Sequence, residues 1–317
     1  MANSVTSFFQ TLVSALGDAQ KLLAPTHAAK DAIYWDYKPD ETGTLGQTIN
    51  AAIPVDPTNN VQDIGTGDVV ISDISFTTTP IVYNKHPQFG YTVRDFEQFN
   101  SPDSIRNVFL DAALKGIMNN INYQVTSLFN STNITTNTAI STTGGVITVP
   151  QFLNGATVLS DKYVPTSDVA NMHLVLPSTP YYKMMDGTTG GSGAAWTQAF
   201  IVGEQTAAAI HENAKIPVAF NTNFLLDQQM PTTGAVGSRT FTGAYFHRYA
   251  VAGVSRALPK PDPNVVEFTY MDFGNLSIRV QIGYNQYPKG GYVVTIDCGY
   301  GLKVVREYMA QLFSVAE

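Results

Sequence analysis

Residues 67–130 constrain this chain more than any other stretch. A segment rich in Thr, Val, Ile and Tyr runs from Gly67 to Val93 and leads directly into one long helix. Val69 to Phe76, Ile81 to Tyr83 and Tyr91 to Val93 are β-branched or aromatic and read as strands. Pro80 and Pro87 cannot donate to a central ladder, so they mark edges. The pattern predicts a long hairpin that projects from the body. Its inward face is weak, and nothing in it resembles a catalytic turn. Such a segment suits one tile of a larger surface better than a free-standing enzyme.

The helix start is well signalled. Ser101 is a good N-cap, Pro102 suits the first helical position, and Asp103 favours the positive end of the helix dipole. Ile105, Phe109, Ala112, Ile117, Ile121, Val125 and Leu128 mark one face. A helix reaching residue 130 is a rod about 43 Å long. Gly116 lies in its middle, either for close contact or a bend, or as tolerated slack.

Composition points the same way. Only 14% of the 317 residues are charged, well below the ~25% of ordinary soluble domains. A thinly charged surface suits a chain that hides much of itself against copies of itself; a monomer with a Ser-, Thr-, Asn- and Gln-rich surface is the alternative. The length allows one large core or two modest ones. Net charge is −7 and no run of Lys or Arg exists, so tight, direct nucleic-acid binding is not expected. The single Cys298 excludes an internal disulfide and fits assembly in a reducing cytosol. The N-terminus lacks the positive flank of a signal peptide, and no run of ~18 apolar residues could span a membrane. The sequons at Asn130, Asn133 and Asn275 are then chance matches.

Along the rest of the chain, residues 4–24 read as an amphipathic helix ended by Pro25. Residues 25–66 show no clear periodicity, with Tyr34 and Trp35 as early anchors. They read as an extended arm lying across something else, or as a long surface loop. After the Thr- and Asn-rich stretch 131–143, Pro150 opens a helix to about Lys162. Leu174-Val175-Leu176 is a short buried strand, and Pro177 to Met185 a turn and short helix. Strands are expected at Ile216–Phe220, Gly243–Val254, Val265–Met271, Leu276–Tyr284, Tyr292–Asp297 and Leu302–Val305. Asp272-Phe273-Gly274-Asn275 is a good hairpin turn.

No chemistry emerges. His27, His86, His173, His211 and His247 have no partners at metal-ligand spacing, and His211-Glu212 reads as a chance adjacency. Cys298 reads as a buried small hydrophobe. Gly190-Gly191-Ser192-Gly193 lacks the closing glycine of a serine-hydrolase elbow, since Ala194 stands there, and lacks the Lys of a phosphate loop. Gly299-Tyr300-Gly301 lacks the third glycine of a dinucleotide fingerprint and reads as a turn. No catalytic, cofactor-binding or metal residue is expected.

The order of elements resembles the major capsid proteins of tailed bacteriophages, which share the Hong Kong 97-like fold. Four segments carry the likeness. Gly67–Val93, through Arg94-Asp95-Phe96-Glu97 into the helix from Pro102, looks like the family's extended loop and spine helix. Val164-Pro165, Leu174-Val175-Leu176-Pro177 and Tyr181-Tyr182 look like part of its axial domain. Ile216-Pro217-Val218-Ala219 before Asn221-Thr222-Asn223 is the third. Cys298-Gly299-Tyr300-Gly301 to Val304-Val305-Arg306-Glu307 is similar to the glycine-then-Val-Val-Arg ending of many coat proteins.

The resemblance implies an α+β chain with an N-terminal arm (1–58) and an extended β-hairpin loop (59–97). A peripheral domain with a long spine helix (98–145 and 255–289) and an axial domain (146–254 and 290–317) would follow. The implied function is an icosahedral shell enclosing double-stranded DNA, located in the virion and assembled in the host cytoplasm. Implied partners are copies of itself in pentamers and hexamers, a separate scaffolding protein, a portal and a decoration protein, with DNA contacted only weakly and no membrane. Candidate inter-subunit anchors are Phe8, Phe9, Tyr34 and Trp35 in the arm, and Phe76, Tyr83, Phe89 and Tyr91 in the loop. An encapsulin-type compartment shell and a β-rich hydrolase are the rival readings.

Overall fold

The computed structural model describes residues 28–54, 76–94, 102–185, 218, 220–262, 266–285 and 290–317, with backbone alone for 102–112 and a few other positions in strands and at a helix end. In chain order the elements begin with α1 (Ala28–Ala32), β1 (Tyr34–Thr42), β2 (Thr48–Pro54), β3 (Phe76–Val82) and β4 (Gln88–Arg94). The long helix α2 (Pro102–Thr126), β5 (Ile140–Thr142), α3 (Val149–Ser160), β6 (Met172–Leu176) and α4 (Ser178–Met185) follow. Then come β7 (Asn223–Leu226), β8 (Thr232–Thr233), β9 (Thr240–His247), β10 (Val251–Ala257), β11 (Glu267–Phe273), β12 (Leu276–Asn285), β13 (Gly291–Val304) and β14 (Ala310–Ala316). The expected helix 4–24, the strand residues 69–75, the cap Ser101 and the glycine cluster 190–193 lie outside the described residues.

The strands form two mixed sheets and a separate ribbon. The first sheet has the order β1-β10-β13-β12-β11, with β4 also on β13. The second has the order β5-β14-β9-β6-β7, with β8 on β9. After passing from β4 through α2 to β5, the chain crosses between the sheets twice more. It leaves the second for the first at the 3-10 turn Arg248–Ala250, and returns at Glu307–Met309. The two crossings touch, because the Ala250 carbonyl accepts from both Val305 N–H (2.9 Å) and Arg306 N–H (3.1 Å). These exchange points differ from the expected domain borders at 254/255 and 289/290.

Helix α3 starts on a reciprocal cap. Thr148 accepts from the Gln151 N–H, while the Gln151 side chain accepts from the Thr148 N–H at 2.9 Å. Its buried face brings Phe152 within 5.1 Å of the Tyr245 ring, and Gly155 lets the helix sit on Phe313. Phe129, just after α2, stacks at 4.7 Å on Phe246. Removing one such buried ring costs about 3–5 kcal/mol, so these contacts hold the helices to the second sheet. Ile117, Ile121 and Val125 of α2 are fully covered, as their spacing predicts. Gly116 is exposed with nothing near its missing Cβ, so it serves no close contact.

Four strand expectations are corrected. Among the described residues, the expected hairpin within 67–95 does not pair with itself. β3 pairs antiparallel with β2, whereas β4 joins β13. Gly243–Val254 is not one strand but the end of β9, a crossing and the start of β10, in different sheets. The strands expected at Tyr292–Asp297 and Leu302–Val305 are one strand, β13 (Gly291–Val304), in place of two. Of the strand expected at Ile216–Phe220 only Val218 and Phe220 are described, and neither is in a strand; the next described strand is Asn223–Leu226. Phe220 and Asn221 take positive φ of 50° and 56°, a conformation that turns the chain and cannot continue a ladder.

Candidate functional site

Among the described residues, no turn gathers catalytic side chains. The most constrained feature with a consequence beyond the core is the root of the β2–β3 ribbon, where the chain leaves the first sheet. Residues from β4 back to Lys85 run along β13, and Lys85 and Tyr300 exchange backbone hydrogen bonds of 2.9 Å. The chain then rises out of the sheet and crosses its face. Tyr83 folds down onto β13 and is fully buried.

Two glycines of β13 make room for that crossing. A Cβ on Gly299 would lie 1.6 Å from the Tyr83 hydroxyl oxygen, and one on Gly301 would lie 2.3 Å from the Val82 carbonyl oxygen. Gly43, at the other foot of the ribbon, likewise faces the Tyr83 ring at 2.8 Å. Gly299-Tyr300-Gly301 is therefore no turn. It is mid-strand, and its glycines share one face because side chains alternate along a strand. Tyr300 between them points to the other face, where its ring meets Trp35 edge-on at 6.4 Å and its hydroxyl reaches Asn120 of α2 at 3.2 Å.

Hydrogen bonds lock the root. Tyr83 N–H donates to the Gln47 carbonyl (2.9 Å), and Gly46 N–H to the Tyr83 carbonyl (2.8 Å). Burial pushes the Tyr83 phenol far above its usual pKa, which keeps it a neutral donor to the Arg256 carbonyl at 3.2 Å. The buried Arg256 guanidinium binds Asp36 (3.0 Å) and Glu41 (2.8 Å) of β1. A charge so enclosed is tolerated because both carboxylates and two carbonyls satisfy it. Ile81 packs on Ala252 and Val254 beside Ile49 and Ala51, so the ribbon's base has one covered face. Beyond it Thr48, Asn50, Ala52, Thr77, Thr78, Pro80 and Val82 are exposed.

A second fastening holds the chain near residue 28. The buried Asp227 carboxylate accepts from Ala29 N–H (3.0 Å) and Gln229 N–H (2.9 Å), and from the Asn122 amide. Asn122 in turn accepts from Lys30 N–H at 3.1 Å. Side chains from β7's end and α2 thus cap α1 from outside its own segment.

The candidate anchors divide accordingly. Trp35 is 8% exposed, over Gly253 and with its indole N–H on the Lys30 carbonyl at 2.7 Å. Tyr83 is fully covered. Both are corrections, since a ring enclosed by its own subunit offers no surface to a neighbour. Part of the arm reading is corrected with them: β1 pairs in parallel with β10 of the same body. Phe89 and Tyr91 are partly buried against their own core. Tyr34 keeps 39% exposure and stacks on Tyr249 at 5.2 Å. Phe8, Phe9 and the Phe76 side chain lie outside the described residues.

Sequence reading missed Gly43 and Arg256, and took Gly299 and Gly301 for a turn. The usable signal was two glycines at i and i+2 within an apolar run, which marks a strand face approached by other chain. Cys298 is buried, as expected, and its thiol is pushed up to about 12 by burial. Among the described residues, no group of three or more His, Cys, Asp or Glu side chains could hold a metal, and no helix is long and apolar enough to cross a membrane.

Known structures place this architecture. The chain is similar to the capsid of Cyanophage P-SCSP1u, at TM-score 0.56 and 10% identity, over 90% of this chain and 87% of that one. It is similar to the capsid of Ralstonia phage GP4, at 0.54 and 12%, over 90% and 86%. A chain from Mycobacterium phage Che8 matches at 0.52 and 14%, over 84% of each. No family model and no curated protein matches the sequence. The chain has the Hong Kong 97-like α+β fold of phage capsids.

Proposed function

We propose that this chain is the major capsid protein of a tailed bacteriophage, assembling into the icosahedral shell around its double-stranded DNA. The observation that carries this reading is the β2–β3 ribbon. An isolated two-stranded ribbon is marginal in water, and among the described residues this one is covered on one face at its base only. Yet its root is built with unusual care, from a buried tyrosine, three accommodating glycines and a buried arginine. Rigid placement of an element that lacks cover makes sense when a neighbouring copy supplies the cover.

Shell formation follows from heterologous contacts that close into rings. Pentamers and hexamers of this chain, a separate scaffolding protein, a portal and a decoration protein belong to this reading, as do virion location and assembly in the host cytoplasm. So do an N-terminal arm, with Phe8 and Phe9 on a neighbour, and Tyr34 at a subunit boundary. The peripheral and axial regions correspond to the first and second sheets, with the crossings at 248–250 and 307–309 as their seam. The net charge of −7 suits a wall that touches packaged DNA weakly.

The test is electron microscopy of the purified chain beside a variant in which residues 49–81 are replaced by Asn-Gly. Thr48 and Val82 are cross-strand partners, so a two-residue turn closes the gap and leaves Tyr83 in place. Shells or shell fragments are expected from the parent alone, with both chains equally folded by circular dichroism. Normal shells from the ribbonless variant would overturn the reading. DNA-free shells filled with another protein would favour the compartment alternative.

A further inference from the structure

His247 stands at the seam between the two sheets, and the capsid reading gives it no task. It ends β9, immediately before the crossing Arg248–Ala250, and is 3% exposed. Its Nδ1 accepts from the Tyr249 N–H at 3.3 Å and so caps the 3-10 turn. Its Nε2 is buried without a hydrogen-bond partner and faces the Asp168 carboxylate at 3.7 Å. The acceptor role of Nδ1 places the ring proton on Nε2. The neutral ring is therefore part of the turn, with a carboxylate waiting just out of reach.

Protonation reverses this. A histidinium donates from both nitrogens and cannot accept from Tyr249. The Tyr249 N–H then loses its partner and opposes a second N–H, while the Asp168 carboxylate draws the charged ring outward. Other charged or titratable groups also face the site. His173 from β6 interacts with it and is itself faced by Arg248 of the same crossing, and Arg306 from the second crossing opposes the positive charge. The second crossing is tied to the first through the Ala250 carbonyl, so loosening one frees the other. The Tyr249 ring also carries the stack on Tyr34 at the start of β1.

We propose that His247 is a proton-operated pin at this seam: neutral, it holds the two sheets in one relative setting, and charged, it releases the crossing to let them shift. The pin belongs to the subunit fold and does not depend on shell formation. Burial disfavours the charged ring and Asp168 favours it, so release falls on the acid side of neutrality.

Backbone hydrogen exchange on the full chain tests the proposal, with rates corrected for the intrinsic effect of pH. Between about pH 7.5 and pH 5, opening of the Tyr249, Val251, Val305 and Arg306 amides is expected to rise about tenfold against Ile296 in β13. His247→Asn retains an acceptor near the Nδ1 position and does not titrate, so the rise should vanish. Asp168→Asn leaves the cap intact but removes the attracting charge, so the rise should move to lower pH. An equal rise in His247→Asn, or none in the parent, would overturn the pin. Should His247→Asn fail to fold, the Asp168→Asn profile decides, and an unmoved midpoint rejects it.

Discussion

Gly299 and Tyr83 behave as one unit separated by more than two hundred positions. A methyl group at 299 would need the volume that the phenol fills, and a packed interior gives way only at a cost of about 1–3 kcal/mol. Gly299→Ala should therefore destabilise the fold by that order, while costing much less in a Tyr83→Ala background. Denaturant melts of the four-member cycle measure the coupling, and simple additivity would contradict the contact. His173 offers a separate check. Burial, together with the nearby Arg248 and His247, lowers its pKa from 6.5 to about 4. A folded-state value below the free one means that its contribution is present above about pH 6.5 and fades as pH falls toward 4. Stability should drop across that window, and less steeply in His173→Phe. An identical pH profile in the variant would contradict the assignment.

Among the elements, α2 shows what its sequence revealed and what it hid. The start at Pro102 and the Ile117–Ile121–Val125 face were legible because cap chemistry and helical spacing are local. The role of Gly116 was not, because only packing distinguishes close approach from open surface. It is open, so Gly116→Ala should stabilise the chain by about 0.5–1 kcal/mol in thermal or chemical melts. A loss of stability would show that the backbone there needs glycine. Strand pairing was the least legible part. β3 has the composition of a hairpin arm, but composition does not name the partner. The partner is β2, within a stretch that showed no periodicity because its covered face is short. β1 was hidden in the same way: its pairing rests on Trp35 finding Gly253, a contact made across 218 positions and invisible to any local pattern. The sheet crossings also escaped, since 248–250 and 307–309 interrupt β-rich runs without Pro or Gly to mark the break.

Taken together, the described residues form a firmly packed body of two sheets and an appendage that the body aims but covers on one face only, at its base. The resemblance to tailed-phage capsid proteins was readable from the succession of elements, and the fold agrees with it. The anchors were only partly readable. Tyr83 and Trp35 are large and aromatic, but their rings serve their own subunit, so the proposed assembly assigns contact with a neighbour to the smaller Thr-rich residues of the ribbon. Amide exchange along Thr48–Ala52 and Thr77–Val82, compared between free subunits and assembled particles, addresses this surface without relying on any substitution. Strong protection gained on assembly is the expected result, because neighbouring copies supply the missing cover. Equal protection in both states would mean that the ribbon is complete within one subunit, and the proposed basis of assembly would be wrong.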